Sequence, residues 1–388
     1  MKTIPIVDLK RQYRTIRPSI DEGIRTVVAS QHFILGVQTE RFEKAFADFC
    51  GKRYAVALRS GTDALYAALA AMGIKPRDEV IVPALTFIAT AEVVTLLGGR
   101  VVFCDVDRES GLAQAKDIQK VMTKKSKFVI PVHLYGQIAP MDEIFRLARS
   151  RKVQVIEDAA QAHGAIYKKM MAPIGRVAAY SFYPAKNLGA YGDAGALVTD
   201  DRTLYENTLL FRNHGQPKGE KYRHVRIGSN LRMDEIQAAV LSVKLRYLHG
   251  WTSRRRQLAK YYDRELSKVE GISLLTTLPF SKPAYHLYCI RAKARDDLQA
   301  YLAQKGIETR IHYPLPLHLQ PAYRHLGYRR GDFPNAQRLA AEILCLPMFP
   351  ELTIGEVATV CRTIAKFYQL QGKPHVRQHP VYQHASSP

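Results

Sequence analysis

The 388-residue sequence is poor in cysteine, with only Cys50, Cys104, Cys289, Cys345 and Cys361, and it has a single tryptophan. The cysteines are scattered, with no CxxC pair and no zinc-like spacing. That excludes a disulfide framework and a structural zinc module; it fits a reduced, cytoplasmic chain, and no metal is expected. Long apolar runs are missing as well. No run approaches the roughly 20 residues that span a bilayer, and Asp8 and Lys10 break the short apolar patch at the N-terminus. Neither a membrane span nor a signal peptide is expected. Acidic charge is scarce, with 35 Asp and Glu against 57 Lys and Arg, a formal net charge of +22. Such a surplus raises nucleic acid as a partner. Its densest runs, residues 149–152 and 254–256, are short and read as solvated helix faces, and no recognition-helix or RNA-binding signature occurs. Nucleic acid is therefore not expected, whereas a phosphate-bearing substrate suits the surplus. No GxGxxG follows the first strand, which disfavours a dinucleotide fold.

What is present is a βα alternation. Short apolar strands are expected at 54–58, 79–82, 101–104, 128–133 and 153–156, with helices at 64–72, 86–97, 115–122 and 141–151 between them. The fold class is α/β: a mostly parallel sheet covered by helices, in a large domain over residues 1–250. At its start, residues 1–17 read as an extended arm. Residues 18–30 read as a helix with Pro18 in its first turn, 33–36 as a turn, and Thr39 as the cap of the next helix. A helix at 234–249 closes this domain. The pattern then changes to a basic helix over 251–269, strands at 285–291 and 308–313, and helices at 296–304, 335–345 and 353–369. This gives a smaller α+β domain over 251–371. Residues 372–388, rich in His, Pro and Gln, read as a disordered tail.

The stretch from Val177 to Asp200 organises the rest. Two apolar strands flank a turn of small residues, Pro184, Gly189, Gly192 and Gly195, that carries Lys186. Most lone loop lysines are solvated. One held at the inner end of a buried sheet has a lowered pKa, and its free amine attacks carbonyls to form an imine. Ligands of open α/β sheets collect at the carboxyl ends of strands, and other apt residues fall there. Ser60, Gly61 and Thr62 lie between a strand and a helix, where free N–H groups suit a phosphate, though alone they read as a plain helix cap. Phe87 can stack on a flat ring, though a lone Phe is more often core. Asp158 ends a strand and can hold a proton on a heterocyclic nitrogen, or simply cap a helix. Gln161 and His163 follow on the next turn, and Ser181 is a second phosphate donor. Together these make a phosphate cradle, a ring stacker, an acid and an imine-forming lysine, the set that pyridoxal phosphate requires.

The segments SGTDAL at 60–65, EDAAQAHGA at 157–165, SFYPAKNLGAYGDAGALVTD at 181–200, RNHG at 212–215 and GSNLRMDEIQAAVL at 228–241 resemble the DegT/DnrJ/EryC1/StrS family of sugar aminotransferases. The likeness runs from IPIVDL near the N-terminus to HYPLPLHLQPAY at 312–323. It implies the type I pyridoxal-phosphate transferase fold. It also implies that Lys186 holds the cofactor and that Asp158 faces the pyridine nitrogen, with Gln161 beside the ring hydroxyl. Gly61, Thr62 and Ser181 would contact the phosphate and Phe87 would stack on the ring. Asn230 would reach the phosphate of a second subunit, so a homodimer with shared active sites is implied. Two departures, Arg59 before Ser60 and Ala194 in place of a frequent glycine, remove no chemical group.

The resemblance points to transfer of an amino group from an amino acid, L-glutamate, to a nucleotide-linked keto-sugar. The wording of the blocks is closer to members acting at the third sugar carbon, on a dTDP- or UDP-linked 3-keto-hexose, than to those acting at the fourth. A non-enzymatic regulator or nucleic-acid binder on the same scaffold is the competing expectation. Family members with histidine in place of the lysine are dehydratases, and Lys186 disfavours that route. Tyr183, His163, His312 and Tyr313 are candidate sugar contacts, with a scaffold role equally open for both histidines. Arg212, Lys218, Lys221 and Arg226 form a candidate patch for the diphosphate.

Overall fold

The structure, a computed structural model, describes residues 3–371. The short apolar runs become the strands of one sheet. Arg100–Cys104, Glu79–Pro83, Ser126–Val129 and Gln154–Val155 form a parallel ladder in that order. Glu157–Asp158, Val177–Ser181, Gly195–Thr199 and Tyr54–Leu58 form a second one. The two ladders join through residues 154–158, where the Ile156 amide bonds the Val129 carbonyl at 3.1 Å and the Asp158 amide bonds that of Pro131 at 3.0 Å. Gly195–Thr199 alone runs antiparallel to its neighbours.

This register decides where the site lies. Leu58 and Ser181 both oppose Gly195, so the carboxyl ends of two strands and the turn carrying Lys186 meet at one edge. The approach is close enough to require glycine. A Cβ on Gly195 would lie 2.2 Å from the Ser60 carbonyl oxygen.

Alanine-rich helices cover one face, with Ala64, Ala67, Ala68, Ala91 and Val94 packed onto Val80, Val82 and Leu197. The other face buries Phe42, Phe46, Tyr180, Phe182 and Leu241. A third core gathers Leu258, Tyr262, Ile290, Leu298, Leu344, Val360 and Ile364 around the antiparallel strands Ile272–Leu274, Tyr288–Ala292 and Ile343–Leu346. Helix Leu248–Leu266 runs from the second core into the third. Among the described residues no helix is long and apolar enough to cross a membrane.

Several local expectations fail for identifiable reasons. The N-terminal arm is helical from Leu9, because Asp8 caps the first turn through the Arg11 amide and Ile16, Ile20 and Val27 give it a buried stripe. Pro18 therefore sits inside the helix rather than at its start. Residues 343–346 are a strand, not the end of a helix. A four-residue apolar run is ambiguous by periodicity, and pairing with Tyr288–Ala292 decides it. Residues 308–313 form no strand, only a bridge between Arg310 and Cys345. The tail at 372–388 lies outside the described residues.

Thr39 is not a cap either. Gly36 is, and it has no side chain to offer. Glu235, distant in sequence, supplies the carboxylate: it accepts the amides of Gly36, Gln38 and Thr39 at 2.9, 2.8 and 2.9 Å and also the Thr39 hydroxyl. It is buried, so its removal strands several donors at once. Glu235→Ala is expected to cost about 3 kcal/mol of stability, measured as the shift of the urea unfolding midpoint. A loss below about 0.5 kcal/mol would contradict this cap.

Candidate active site

Asp158 stands at the carboxyl end of its strand and is only 5% exposed. Its Oδ2 accepts the Thr90 hydroxyl at 2.8 Å, and its Oδ1 accepts the Ala160 amide at 3.1 Å. Thr90 is itself paired with Thr86 at 3.1 Å. Burial pushes the carboxyl up; Thr90, the Ala160 amide and the charge of Lys186 pull against it. Beneath it His133 donates from Nε2 to Glu157 at 2.8 Å and accepts the Ala139 amide at Nδ1, 3.3 Å.

Lys186 sits on a tight turn. Its amide bonds the Tyr183 carbonyl at 2.8 Å, and the Ala190 amide bonds that of Phe182 at 2.7 Å. Gly189 is required here, because a Cβ would lie 2.1 Å from the Pro184 carbonyl oxygen. The Gly189 carbonyl in turn accepts the buried Lys244 amine at 2.7 Å, which also lies 4.2 Å from the Tyr191 ring centroid. Desolvation lowers the Lys186 amine to about 8, and the charge of Asp158 opposes the fall only in part.

The third corner is the helix Gly61–Ala71. Ser60 caps it, accepting the Asp63 amide at 3.0 Å. The amides of Gly61 and Thr62 begin the helix, where N–H groups lack intrahelical acceptors and the dipole favours an anion. Ser181 lies against them: a Cβ on Gly61 would sit 2.6 Å from the Ser181 Cβ.

The rim is aromatic. Phe87 is 56% exposed, and its ring centroid lies 6.4 Å from that of Tyr313. The Tyr313 hydroxyl accepts from the Gln161 side-chain amide at 2.8 Å, while the Gln161 oxygen accepts the Tyr135 amide at 2.6 Å. Tyr313 and Tyr135 both adopt positive φ, 62° and 58°, a costly conformation for a bulky residue. Tyr183, on the Lys186 turn, is exposed, and the half-buried His312 ring lies edge-on to Tyr313 at 6.0 Å.

Other expected residues lie elsewhere. His163 is completely enclosed, with its ring against Tyr180 and Phe182, and burial pushes it down to about 3. So enclosed, it packs in the scaffold behind the site. Asn230 is exposed and forms an antiparallel bridge with Asn213. Arg212 is no surface contact, since it is buried and bonded to Glu43 and to the Ala57 carbonyl. Lys218 pairs with Glu40 at 2.7 Å, Arg226 with Asn207 at 2.6 Å, and Lys221 lies over Tyr222. Thr90, Tyr135 and Lys244 were not foreseen. Only Lys244 left a trace in the sequence, as a lysine on the apolar stripe shared with Val240 and Val243.

A model of the DegT/DnrJ/EryC1/StrS aminotransferase family matches residues 14–365. The chain is 43% identical over 369 residues to a pleiotropic regulatory protein of Geobacillus stearothermophilus, covering 94% of this chain and 99% of the relative. It is 41% identical over 350 residues to the dTDP-3-amino-3,4,6-trideoxy-alpha-D-glucose transaminase of Streptomyces venezuelae, covering 90% and 92%. In three dimensions it is similar to S. venezuelae DesV, solved in complex with a ketimine intermediate. The TM-score is 0.93 at 39% identity, and the match covers 95% of this chain and 99% of that one.

The lowered pKa of Lys186 is directly measurable. In the cofactor-free protein, competitive acylation read by peptide mass spectrometry should give a midpoint for Lys186 near the value of about 8 that burial imposes. Exposed lysines should titrate near ~10.4. The unfolded chain binds more protons between those two values, so the penalty from this desolvated amine fades as pH rises through that window. A midpoint for Lys186 equal to that of the surface lysines would refute its desolvation.

Proposed function

The chain belongs to the DegT/DnrJ/EryC1/StrS aminotransferase family, and from that premise we propose that it transfers the amino group of L-glutamate to a dTDP- or UDP-linked 3-keto-hexose, using pyridoxal phosphate. The observation that carries this reading is the buried Asp158 carboxylate within the electrostatic reach of a lysine amine lowered to about 8. The residues fit the cofactor. The helix start at Gly61 and Thr62, with Ser181 against it, forms a cradle too narrow for an added Cβ and suited to a phosphate. Phe87 offers an open aromatic face to a flat ring. When bound, pyridoxal phosphate supplies an electron sink that stabilises negative charge on the donor's α-carbon.

The protein's own part is positioning and proton transfer. Asp158, fixed by Thr90 and Ala160, holds a proton on the ring nitrogen. Gln161, held between Tyr313 and the Tyr135 amide, would stand beside the ring hydroxyl. Lys186 Nζ would hold the cofactor and, once free, would serve as general base and acid. It takes the α-proton from the donor and returns a proton on the cofactor side, and the second half-reaction reverses this on the ketone. An amine lowered to about 8 is a competent base near neutral pH.

Tyr183, Tyr313 and His312 line the side from which the sugar enters. Asn230 serves the phosphate of a second copy, and the chain acts as a homodimer in the cytoplasm. The exposed apolar residues Tyr222, Val225 and Ile227, on the segment leading to Asn230, support that pairing. The large domain spans 1–250 and the small one 251–371. A purely regulatory role, such as the name of one relative suggests, would have no need of Lys186, Asp158 and Gln161 together.

The test is turnover with nucleotide-linked 3-keto- and 4-keto-hexoses offered separately, with glutamate as donor. Turnover of the 3-keto sugar is expected; turnover of the 4-keto sugar alone would overturn the substrate assignment. Lys186→Ala should abolish steady-state transamination, and Asp158→Asn should lower kcat by about 100-fold. Substantial turnover by the lysine variant would refute its role.

A further inference from the structure

Cys289 and Cys345 face each other beside the site. They are direct partners on the antiparallel strands Tyr288–Ala292 and Ile343–Leu346. Both are free and buried, and their Sγ atoms are 2.7 Å apart. That is about 0.7 Å longer than a disulfide bond. Directly opposed residues of an antiparallel pair have Cα atoms roughly 4.5–5.5 Å apart, inside the range of about 4.4–6.8 Å that disulfides span. The backbone is therefore within reach of a bond, and closing the remaining distance would draw the facing strands together.

The surroundings favour reaction. Cys289 lines a cleft of about 240 Å³ together with Tyr135, Gln137, Thr277 and Tyr285, which gives a small oxidant a route to the sulphur. Burial opposes ionisation of both sulphurs, but the Cys289 thiol and the His312 ring next to Cys345 offset it there and pull the Cys345 thiol down. A cross-strand dithiol in a reducing compartment is the kind of pair that forms labile, reversible bonds.

Both strands lead to Gln161. Cys345 exchanges backbone hydrogen bonds with Arg310 at 2.8 and 3.1 Å. Three residues on, the Tyr313 hydroxyl holds the Gln161 amide. From the Cys289 strand, the Leu287 amide bonds the Tyr135 carbonyl at 3.4 Å, and the Tyr135 amide holds the Gln161 oxygen. Tyr135 and Tyr313 both hold positive φ, so a shift of either strand reaches Gln161 through strained backbone.

We propose that Cys289 and Cys345 are a peroxide-sensitive dithiol whose closure to a disulfide displaces Tyr135 and Tyr313 and slows turnover. One thiolate attacks hydrogen peroxide: an S–O bond forms, the O–O bond breaks and hydroxide leaves, giving a sulfenic acid. The second thiol attacks that sulphur: the S–S bond forms, the S–O bond breaks and water departs with the thiol's proton. The first hydroxide takes up the proton lost from the attacking thiol. Two thiols are oxidised, and one peroxide is reduced to two waters. A small dithiol such as dithiothreitol reverses the step.

The slowing rests on the aminotransferase reading; disulfide formation does not. The experiment treats reduced, cofactor-loaded, full-length protein with hydrogen peroxide, then alkylates it, maps the peptides by mass spectrometry and assays turnover before and after dithiothreitol. The expected result is a Cys289–Cys345 linked peptide lighter by two hydrogens, with Cys50, Cys104 and Cys361 still alkylated. Turnover should fall several-fold and return with dithiothreitol, whereas Cys289→Ser and Cys345→Ser enzymes keep their rate in peroxide. Alkylation of Cys289 and Cys345 after treatment, as free thiols, would overturn the dithiol. A disulfide that leaves turnover unchanged would overturn its coupling to the site. Reduced protein that transaminates no substrate would refute the aminotransferase reading and with it the slowing, while the peptide map would still decide the disulfide.

Discussion

Desolvation of one carboxylate and one amine, Asp158 and Lys186, is the constraint on which the arrangement depends. Burying either charge alone costs several kcal/mol. The protein offsets part of that cost for Asp158 with the Thr90 hydroxyl and the Ala160 amide. It leaves Lys186 with only the distant help of Asp158, so the amine falls to about 8. The same low dielectric that makes these groups costly also makes their fields strong. A site of this kind does its work by holding charge where water would otherwise screen it.

Such a pair is useful only if it cannot relax, and the scaffold supplies that rigidity through close backbone approaches. Gly195 lets the Lys186 turn lie against Ser60, and Gly189 lets the turn close on Pro184. Lys244, buried without an ion-pair partner among the described residues, fastens the Gly189 carbonyl from behind. The strand ends, the helix start at Gly61 and the turn thus form one rigid corner, while the mobile chemistry is left to the Lys186 side chain and the aromatic rim.

Much of this corner was legible in the sequence. Apolar runs too short for helices gave the strands, and a lysine framed by glycines between two of them gave the turn. What could not be read depends on contacts between distant segments. Glu235 caps a helix almost two hundred residues earlier, and no local signal marks it. Pro18 is a usual helix starter, yet the cap formed by Asp8 and the buried Ile16 and Ile20 extend the helix before it. The run at 343–346 follows a helical pattern and is turned into a strand by its partner. For His163 the sequence left a sugar contact and a scaffold role equally open, and the turn after Asp158 decides: Gln161 reaches Tyr313, whereas His163 packs against Tyr180.

The central claim is that this corner holds pyridoxal phosphate through Lys186 and makes it accept an amine. The visible absorption spectrum of the purified protein, recorded with pyridoxal phosphate before and after L-glutamate, tests it most directly. The account predicts a yellow band that glutamate abolishes as the cofactor takes up the amino group. A protein that stays colourless with added pyridoxal phosphate would contradict it.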